Sequence, residues 1–282
     1  MKYIYLNLKR FDIPPEMGGV NRIAPMALWA EEIVNGIEKA LGQYDREKAQ
    51  FTVFFPETHI LAAAAARMPG SLLRLGCQGV YREDTAAGKN FGAFTTQRPA
   101  AAMEAAGCEA VLIGHCEERR DKEGILREAK VEDAQVVNRL LNQEILCAQA
   151  RGMKTLYCVG EKESERGQWR EVLEKQLETG LKGADPRKTS VAYEPVWSIG
   201  PGRQPAGYED IEAAAKFIKE KTSGMEVVYG GGLKRENAGL LAAVKEIDGG
   251  LIALTRFTGK IGFYPEEYLE IVRIYLEARG TR

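Results

Sequence analysis

The chain has 282 residues, 45% of them hydrophobic and 28% charged, with Gly and Pro spread along its length, which excludes a disordered or fibrous protein and leaves material for a sizeable core. Lys and Arg total 39 against 40 Asp and Glu, so no basic surplus exists to neutralise a phosphate backbone, and nucleic acid is not an expected partner. The longest apolar stretches, 51–55 and 61–66, fall far short of the roughly 20 residues of a membrane span, and Met1 leads straight into a strand-like segment, so a soluble cytoplasmic protein with no membrane partner is expected.

Short apolar runs and helical stretches alternate from the start. The run Lys2 to Leu6 is followed by helical Met26 to Leu41. Gln50 to Phe55 leads into Thr58 to Arg67, almost pure alanine and only weakly helical, and Leu72 to Cys77 into Gly92 to Ala106, which opens as a loop. Ala110 to Ile113 precedes a charged segment able to start a short helix, then a longer helical stretch, Glu132 to Ala150. Lys154 to Val159 pairs with Glu165 to Leu181, Ser190 to Tyr193 with Tyr208 to Lys221, Glu226 to Tyr229 with Arg235 to Val244, and Leu251 to Leu254 with Pro265 to Ala278. Near-continuous hydrophobic strands with helical crossovers imply an α/β fold with a parallel sheet covered on both faces. Eight such units suit a closed (β/α)8 barrel ringed by helices better than an open sheet. No linker or repeat divides the chain, so one domain spanning 1–282 is expected. The five cysteines, an odd number without C-x-x-C spacing, argue against a disulfide framework and a zinc site, so no metal is expected.

Active sites of such barrels lie at the carboxyl ends of the strands, so the informative residues are those just after each run. His115 follows the fourth; at a helix N-terminus the dipole disfavours imidazolium and leaves a neutral ring that can donate a proton. A strand-end histidine bonded to backbone is the structural alternative. Glu194 ends the sixth, where partial desolvation makes a carboxylate a stronger base, although a simple pair with a lysine explains it equally. Lys9 can stabilise an anionic substrate or stand as a solvated charge. Gly230, Gly231 and Gly232, with Gly200 in the loop after Glu194, offer backbone N–H groups to a phosphate or form plain turns.

Taken together, these segments resemble the triosephosphate isomerase family. The string Y-E-P-V-W-x-I-G-x-G at 193–202 matches its base and lid, I-G-H-x-E at 113–117 its electrophile, and the C-x-G-E-K strand end falls within 157–162. N-x-K at 7–9, G-A-F-T at 92–95 and Y-G-G at 229–231 follow the same family order. The resemblance implies a TIM barrel, with Glu194 as general base, His115 as neutral acid, Lys9 as electrostatic clamp, Asn7 as its neighbour and Glu117 as supporting carboxylate. It implies proton transfer through an enediolate on a small phosphorylated sugar, with no cofactor. Pro195, Val196, Trp197, Gly202 and Pro205 would form the lid, and Thr95 would enter a neighbouring subunit's site in a homodimer.

The departures concentrate at the phosphate end. Ala253 and Leu254 stand where the family has a glycine pair, and the stretch Leu254, Thr255 and Arg256 is expected at the phosphate, with Arg256 offering a bidentate contact or marking a different substrate tail. Pro205 has no N–H for the tyrosine latch matched by Tyr229, and Gly232 replaces the serine of a second latch, which implies a slower enzyme or a latch of different make. Cys116 replaces the family's usual serine, and Glu118 reads as an insertion that shifts Arg119 and Arg120. Extra length falls at 12–23 and 81–90, against the typical barrel of about 250 residues. Three functions follow: triosephosphate isomerase itself, an isomerase of a four-carbon sugar phosphate, and a non-catalytic sugar-phosphate binder that would have no use for a base.

Overall fold

The computed structural model describes residues 1–131, 133, 135–200, 203 and 205–278. Strands β1 (Lys2–Asn7), β2 (Ala49–Phe55), β3 (Leu73–Cys77), β4 (Ala110–Ile113), β5 (Lys154–Val159), β6 (Thr189–Tyr193), β7 (Glu226–Tyr229) and β8 (Gly249–Ile252) form a closed barrel in chain order. All neighbours are parallel, and β8 closes the ring on β1, with Tyr3 opposite Gly249 and Leu6 opposite Ile252. The helices are α1 (Trp29–Leu41), α2 (Ile60–Ala66), α3 (Ala100–Ala105), α4 (Cys116–Glu128), α5 (Gln135–Ala150), α6 (Trp169–Gly180), α7 (Tyr208–Lys221), α8 (Ala238–Ala243) and α9 (Pro265–Glu277).

The period of two along each strand divides the core. Tyr3, Tyr5, Phe54, Leu112, Leu156, Val228 and Leu251 fill the barrel, while Ile4, Leu6, Phe51, Val53 and Phe55 point outward onto Trp29, Ile33 and Ile37 of α1 and their neighbours. Both faces are therefore apolar, which is why the strands read as unbroken runs; each fully buried aliphatic side chain contributes about 1.5–3 kcal/mol. At the amino-terminal mouth the polar ends converge instead: Glu226 accepts from Lys154 at 2.7 Å and from Ser190 at 2.6 Å, and also from the Tyr3 hydroxyl.

Several expected boundaries move. β8 begins two residues before the expected Leu251 and ends at Ile252, because Gly249 and Gly250 belong to the strand. A Cβ at Gly250 would lie 2.9 Å from the Leu233 side chain, and one at Gly249 would run into the Tyr3 backbone. These glycines mark a close approach rather than a turn. The segment after His115 is a full helix of 13 residues rather than a short one, with His115 as its N-cap and Glu117 and Glu118 at its positive end. α1 starts at Trp29, α6 is preceded by a 3-10 turn at Glu163–Gln168, and α8 is shorter than 235–244. The expected start of the fifth helix, Glu132, lies outside the described residues, among which no helix is long and apolar enough to cross a membrane.

Candidate active site

The strand ends bring Asn7, Lys9, His115, Glu117 and Glu194 to one mouth. Asn7 closes β1, and its Oδ1 accepts from the Lys9 N–H at 3.0 Å, which holds Lys9 at the left-handed φ of 41°. An L-residue adopts that conformation only when its surroundings impose it, and here it aims the ammonium across the mouth. Lys9 Nζ donates to Glu117 Oε1 at 2.7 Å. Burial would raise the Glu117 pKa, but the hydrogen bond and charge of Lys9 outweigh it, and the net shift is downward.

His115 stands between them. Its Nδ1 accepts the Glu117 backbone N–H at 3.2 Å, so the ring's single proton sits on Nε2. Nε2 in turn lies 3.4 Å from Glu194 Oε1. Glu194 is 2% exposed; its Oε2 accepts the Cys116 N–H at 2.9 Å, while Oε1 takes no hydrogen bond among the described residues. Burial raises its pKa, against the opposing pull of His115, the Cys116 N–H and Lys9. A desolvated carboxylate with one unengaged oxygen, facing an imidazole N–H and an ammonium, is equipped to move a proton from carbon beside a carbonyl.

Gly230 has a different task from the expected phosphate contact. Its N–H donates to Tyr193 O at 2.7 Å, and a Cβ there would lie 2.7 Å from Glu194 Cγ, so the glycine makes room for the carboxylate. Among the described residues, the N–H groups of Gly200, Gly231, Gly232 and Leu254 donate to no protein acceptor, which leaves them available to an anion. The N–H groups of Thr255 and Arg256, by contrast, both go to Gly262 O, at 3.2 and 3.1 Å, in a turn that doubles back on itself. Arg256 is also engaged: its Nε donates to Glu267 Oε1 at 2.7 Å and its guanidinium lies over the Tyr264 ring.

The segment expected to form a lid packs on Glu161. After Pro195, Val196 N donates to Glu161 O at 3.1 Å and Trp197 Nε1 to Glu161 Oε1 at 2.6 Å. Pro205 is exposed, and Gly202 lies outside the described residues. Burial raises the Tyr229 pKa and nearby Ser198 opposes the rise, so the hydroxyl faces the segment expected as the lid at Ser198, whose own Oγ donates to Pro195 O at 2.9 Å. Thr95 sits exposed in the loop after β3. The 12–23 extension is pinned by buried Asp12, which receives Arg10 and lies 3.1 Å from His59, and Arg22 ties it to Ile261 O at 3.0 Å.

Sequence reasoning gave no role to Gln78, Glu161 or Arg119. Gln78 donates to Asn7 Oδ1, Lys9 O and Phe54 O, fixing the loop that carries Lys9. Glu161 holds Tyr193 and Trp197. Both stand just after a strand, where the search for site residues was already directed. Arg119 is buried, donating to Gly114 O at 2.8 Å, Cys158 O and Tyr157, and Arg120 is exposed. Glu118 sits within regular α4, its Oε2 accepting the Gly114 N–H at 2.6 Å. Among the described residues, the donors close enough to share a metal ion are His115, Cys116 and Glu194.

The family model described as triosephosphate isomerase matches residues 26–273. That span begins after the 12–23 extension, so Asn7 and Lys9 reach the site through geometry that lies outside the match. The chain is 33% identical over 220 residues to a triosephosphate isomerase of Leptospira borgpetersenii, covering 73% of this chain and 81% of that one. It is 34% identical over 236 residues to one of Acidithiobacillus ferrooxidans, covering 78% and 82%. A crystal structure of triosephosphate isomerase from Bartonella henselae, 23% identical, superposes with a TM-score of 0.72 over 97% of this chain and 98% of that one, a likeness of fold. With the barrel closed, its mouth equipped and nearly the whole chain matched, the protein belongs to the triosephosphate isomerase family.

Proposed function

We propose that this chain interconverts glyceraldehyde 3-phosphate and dihydroxyacetone phosphate through an enediolate. The observation that carries the reading is the 3.4 Å approach of His115 Nε2 to Glu194 Oε1 at one mouth, since a base and a proton donor must face the same pair of carbons. Glu194 removes the proton from one carbon and returns it to the next. His115, neutral with its proton on Nε2, polarises the carbonyl, and Lys9, aimed by Asn7 and held by Glu117, stabilises the oxyanion. Gly200, Gly231, Gly232 and Leu254 supply N–H groups for the phosphate, with Trp197, Val196 and Pro195 closing over it; Thr255 and Arg256 shape that end without offering free backbone donors.

The same reading treats 1–282 as one barrel domain that works as a homodimer in the cytoplasm. Thr95 and the loop around it are exposed, as an interface loop awaiting its partner would be, and all five cysteines are unpaired, as a reducing compartment keeps them. The test is turnover of the two triose phosphates and of four-carbon analogues by the purified protein, beside Glu194→Gln. Turnover of the triose pair that falls about a thousandfold in the variant supports the proposal. Turnover of the four-carbon sugar alone would transfer the reading to a related isomerase, and turnover of neither would sink it.

A further inference from the structure

The site holds a donor that proton transfer between carbons does not use. Cys116 stands where the family usually has serine, and its side chain lies beside the acid and base: Sγ is 3.8 Å from His115 Nδ1. Cys116, His115 and Glu194 each offer one donor atom, and the three lie within 4.8 Å of one another. Glu194 supplies the independent sign of an unfilled coordination position, because its buried Oε1 has no hydrogen-bond partner among the described residues. Apart from His115, 3.4 Å from Oε1, the nearby cations are engaged elsewhere: Lys9 with Glu117, and Arg119 with Gly114, Cys158 and Tyr157.

We propose that these side chains form an inhibitory site for a thiophilic divalent cation, zinc above all. Thiolate, imidazole and carboxylate are the donors zinc prefers, and donors around tetrahedral zinc lie roughly 3.3–3.8 Å apart, given bonds of about 2.0–2.3 Å. The separation of His115 Nε2 from Glu194 Oε1, 3.4 Å, already fits; Cys116 Sγ, whose 3.8 Å neighbour is the other ring nitrogen, lies within 4.8 Å of the remaining donors and must be drawn in by roughly 1 Å, within the freedom of a partly exposed side chain. As the ion binds, the S–H bond of Cys116 breaks, its proton goes to solvent and an S–Zn bond forms; the His115 ring gives up its Nε2 proton and takes one on Nδ1, releasing the Glu117 N–H it had accepted, so that the Nε2 lone pair goes to the ion, with no electron transferred. The fourth position stays open to water. The base and the acid of the proposed reaction are then both coordinated, so the ion arrests it reversibly. A serine at 116 would supply a hard, neutral oxygen in place of the thiolate and hold the ion far less tightly.

This inference rests on the isomerase reading only for its effect on activity, so the experiment separates binding from turnover. Cobalt(II) is titrated into the metal-free protein and the sulfur-to-cobalt charge-transfer band followed; zinc should then displace it at one ion per chain. The band should vanish in Cys116→Ser and survive in Cys147→Ser, and in the unmutated protein zinc should shield Cys116 from alkylation as read by mass spectrometry. Each protein's activity with zinc is compared with its own metal-free rate: at least a tenfold loss, reversed by chelator, is expected for the unmutated chain and less than twofold for Cys116→Ser. No band, a band that persists in Cys116→Ser, or unshielded Cys116 overturns the site. A Cys116-dependent band without loss of turnover overturns the inhibition, and the same band in a protein that turns over no sugar phosphate supports the site while sinking the isomerase reading.

Discussion

The backbone N–H of Cys116 donates to Glu194 Oε2 at 2.9 Å, tying residues 78 positions apart through the first turn of α4. The helix capped by the His115 side chain therefore also holds Glu194, and the two reacting groups share one rigid support. Desolvation of Glu194 has two measurable consequences. The base must be ionised to accept a proton, and its pKa is raised, so kcat/KM should fall on the acid side at a pH above the ordinary carboxylate range. A profile flat down to the usual glutamate pKa would refute this.

The same burial weakens the fold. A carboxyl with a raised pKa keeps its proton in the native state while the unfolded chain has released it, so native stability falls as pH climbs from the unfolded value to the raised one. Glu194→Gln should thus gain stability near pH 7, on the order of 1 kcal/mol, while losing about a thousandfold in kcat. Denaturant melts of both proteins at pH 5 and pH 7.5 decide it; a variant less stable at both values would contradict the argument.

Lys9 and Glu117 are expected to act as a pair. Lys9→Met removes the cation that holds Glu117 down and that faces the reacting oxygen, and should cost at least about a hundredfold in kcat/KM. Glu117→Gln should cost less, since the ammonium remains but loses its anchor. Equal losses would mean that the carboxylate does more than orient the lysine.

Tyr229 faces Ser198 in the proposed lid, and position 205 has no N–H to offer it. Ser198→Ala should weaken a phosphoglycolate-type analogue by about tenfold, the worth of one hydrogen bond of about 1.4 kcal/mol. Pro205→Ala, which restores an N–H, should recover part of that loss in the Ser198→Ala background. Unchanged affinity in Ser198→Ala, measured calorimetrically, would remove Ser198 from the latch.

Glu144 on α5 provides a control away from the mouth. Burial, reinforced by Glu118, raises its pKa to about 9, although Lys122 lies 3.0 Å away. Between pH 4.5 and 9 the folded chain keeps a proton there that the unfolded chain has lost, so the penalty grows with pH. Glu144→Gln mimics the protonated acid and should leave stability unchanged near pH 4 but raise it by about 1–2 kcal/mol at pH 8. A variant destabilised at pH 8 would show that the group is ionised in the native protein.

The barrel was legible because each strand buries both faces, which makes Lys154–Val159 or Glu226–Tyr229 stand out as apolar runs between polar helices. His115 and Glu194 were legible because chemistry collects just after such runs. What stayed hidden depends on contacts between distant segments. The Gly249 and Gly250 pair reads as punctuation until Tyr3 and Leu233 are seen pressed against it. Nothing in L-T-R-F indicates that the amides of Thr255 and Arg256 turn back to Gly262, or that Arg256 is claimed by Glu267. Gln78 and Glu161 were within reach of the rule that found His115, but neither residue type suggests a reaction by itself.

The joint between first and last strand carries one more implication. Where Gly249 lies against Tyr3, the ring is stitched with bare main chain, and even a methyl group would have to displace peptide rather than a movable side chain. Drift at that position is thus closed off however tolerant the helices outside become. The barrel stays closed at its amino-terminal end, opposite the site, because its hoop is fastened there at a point that no larger residue can occupy.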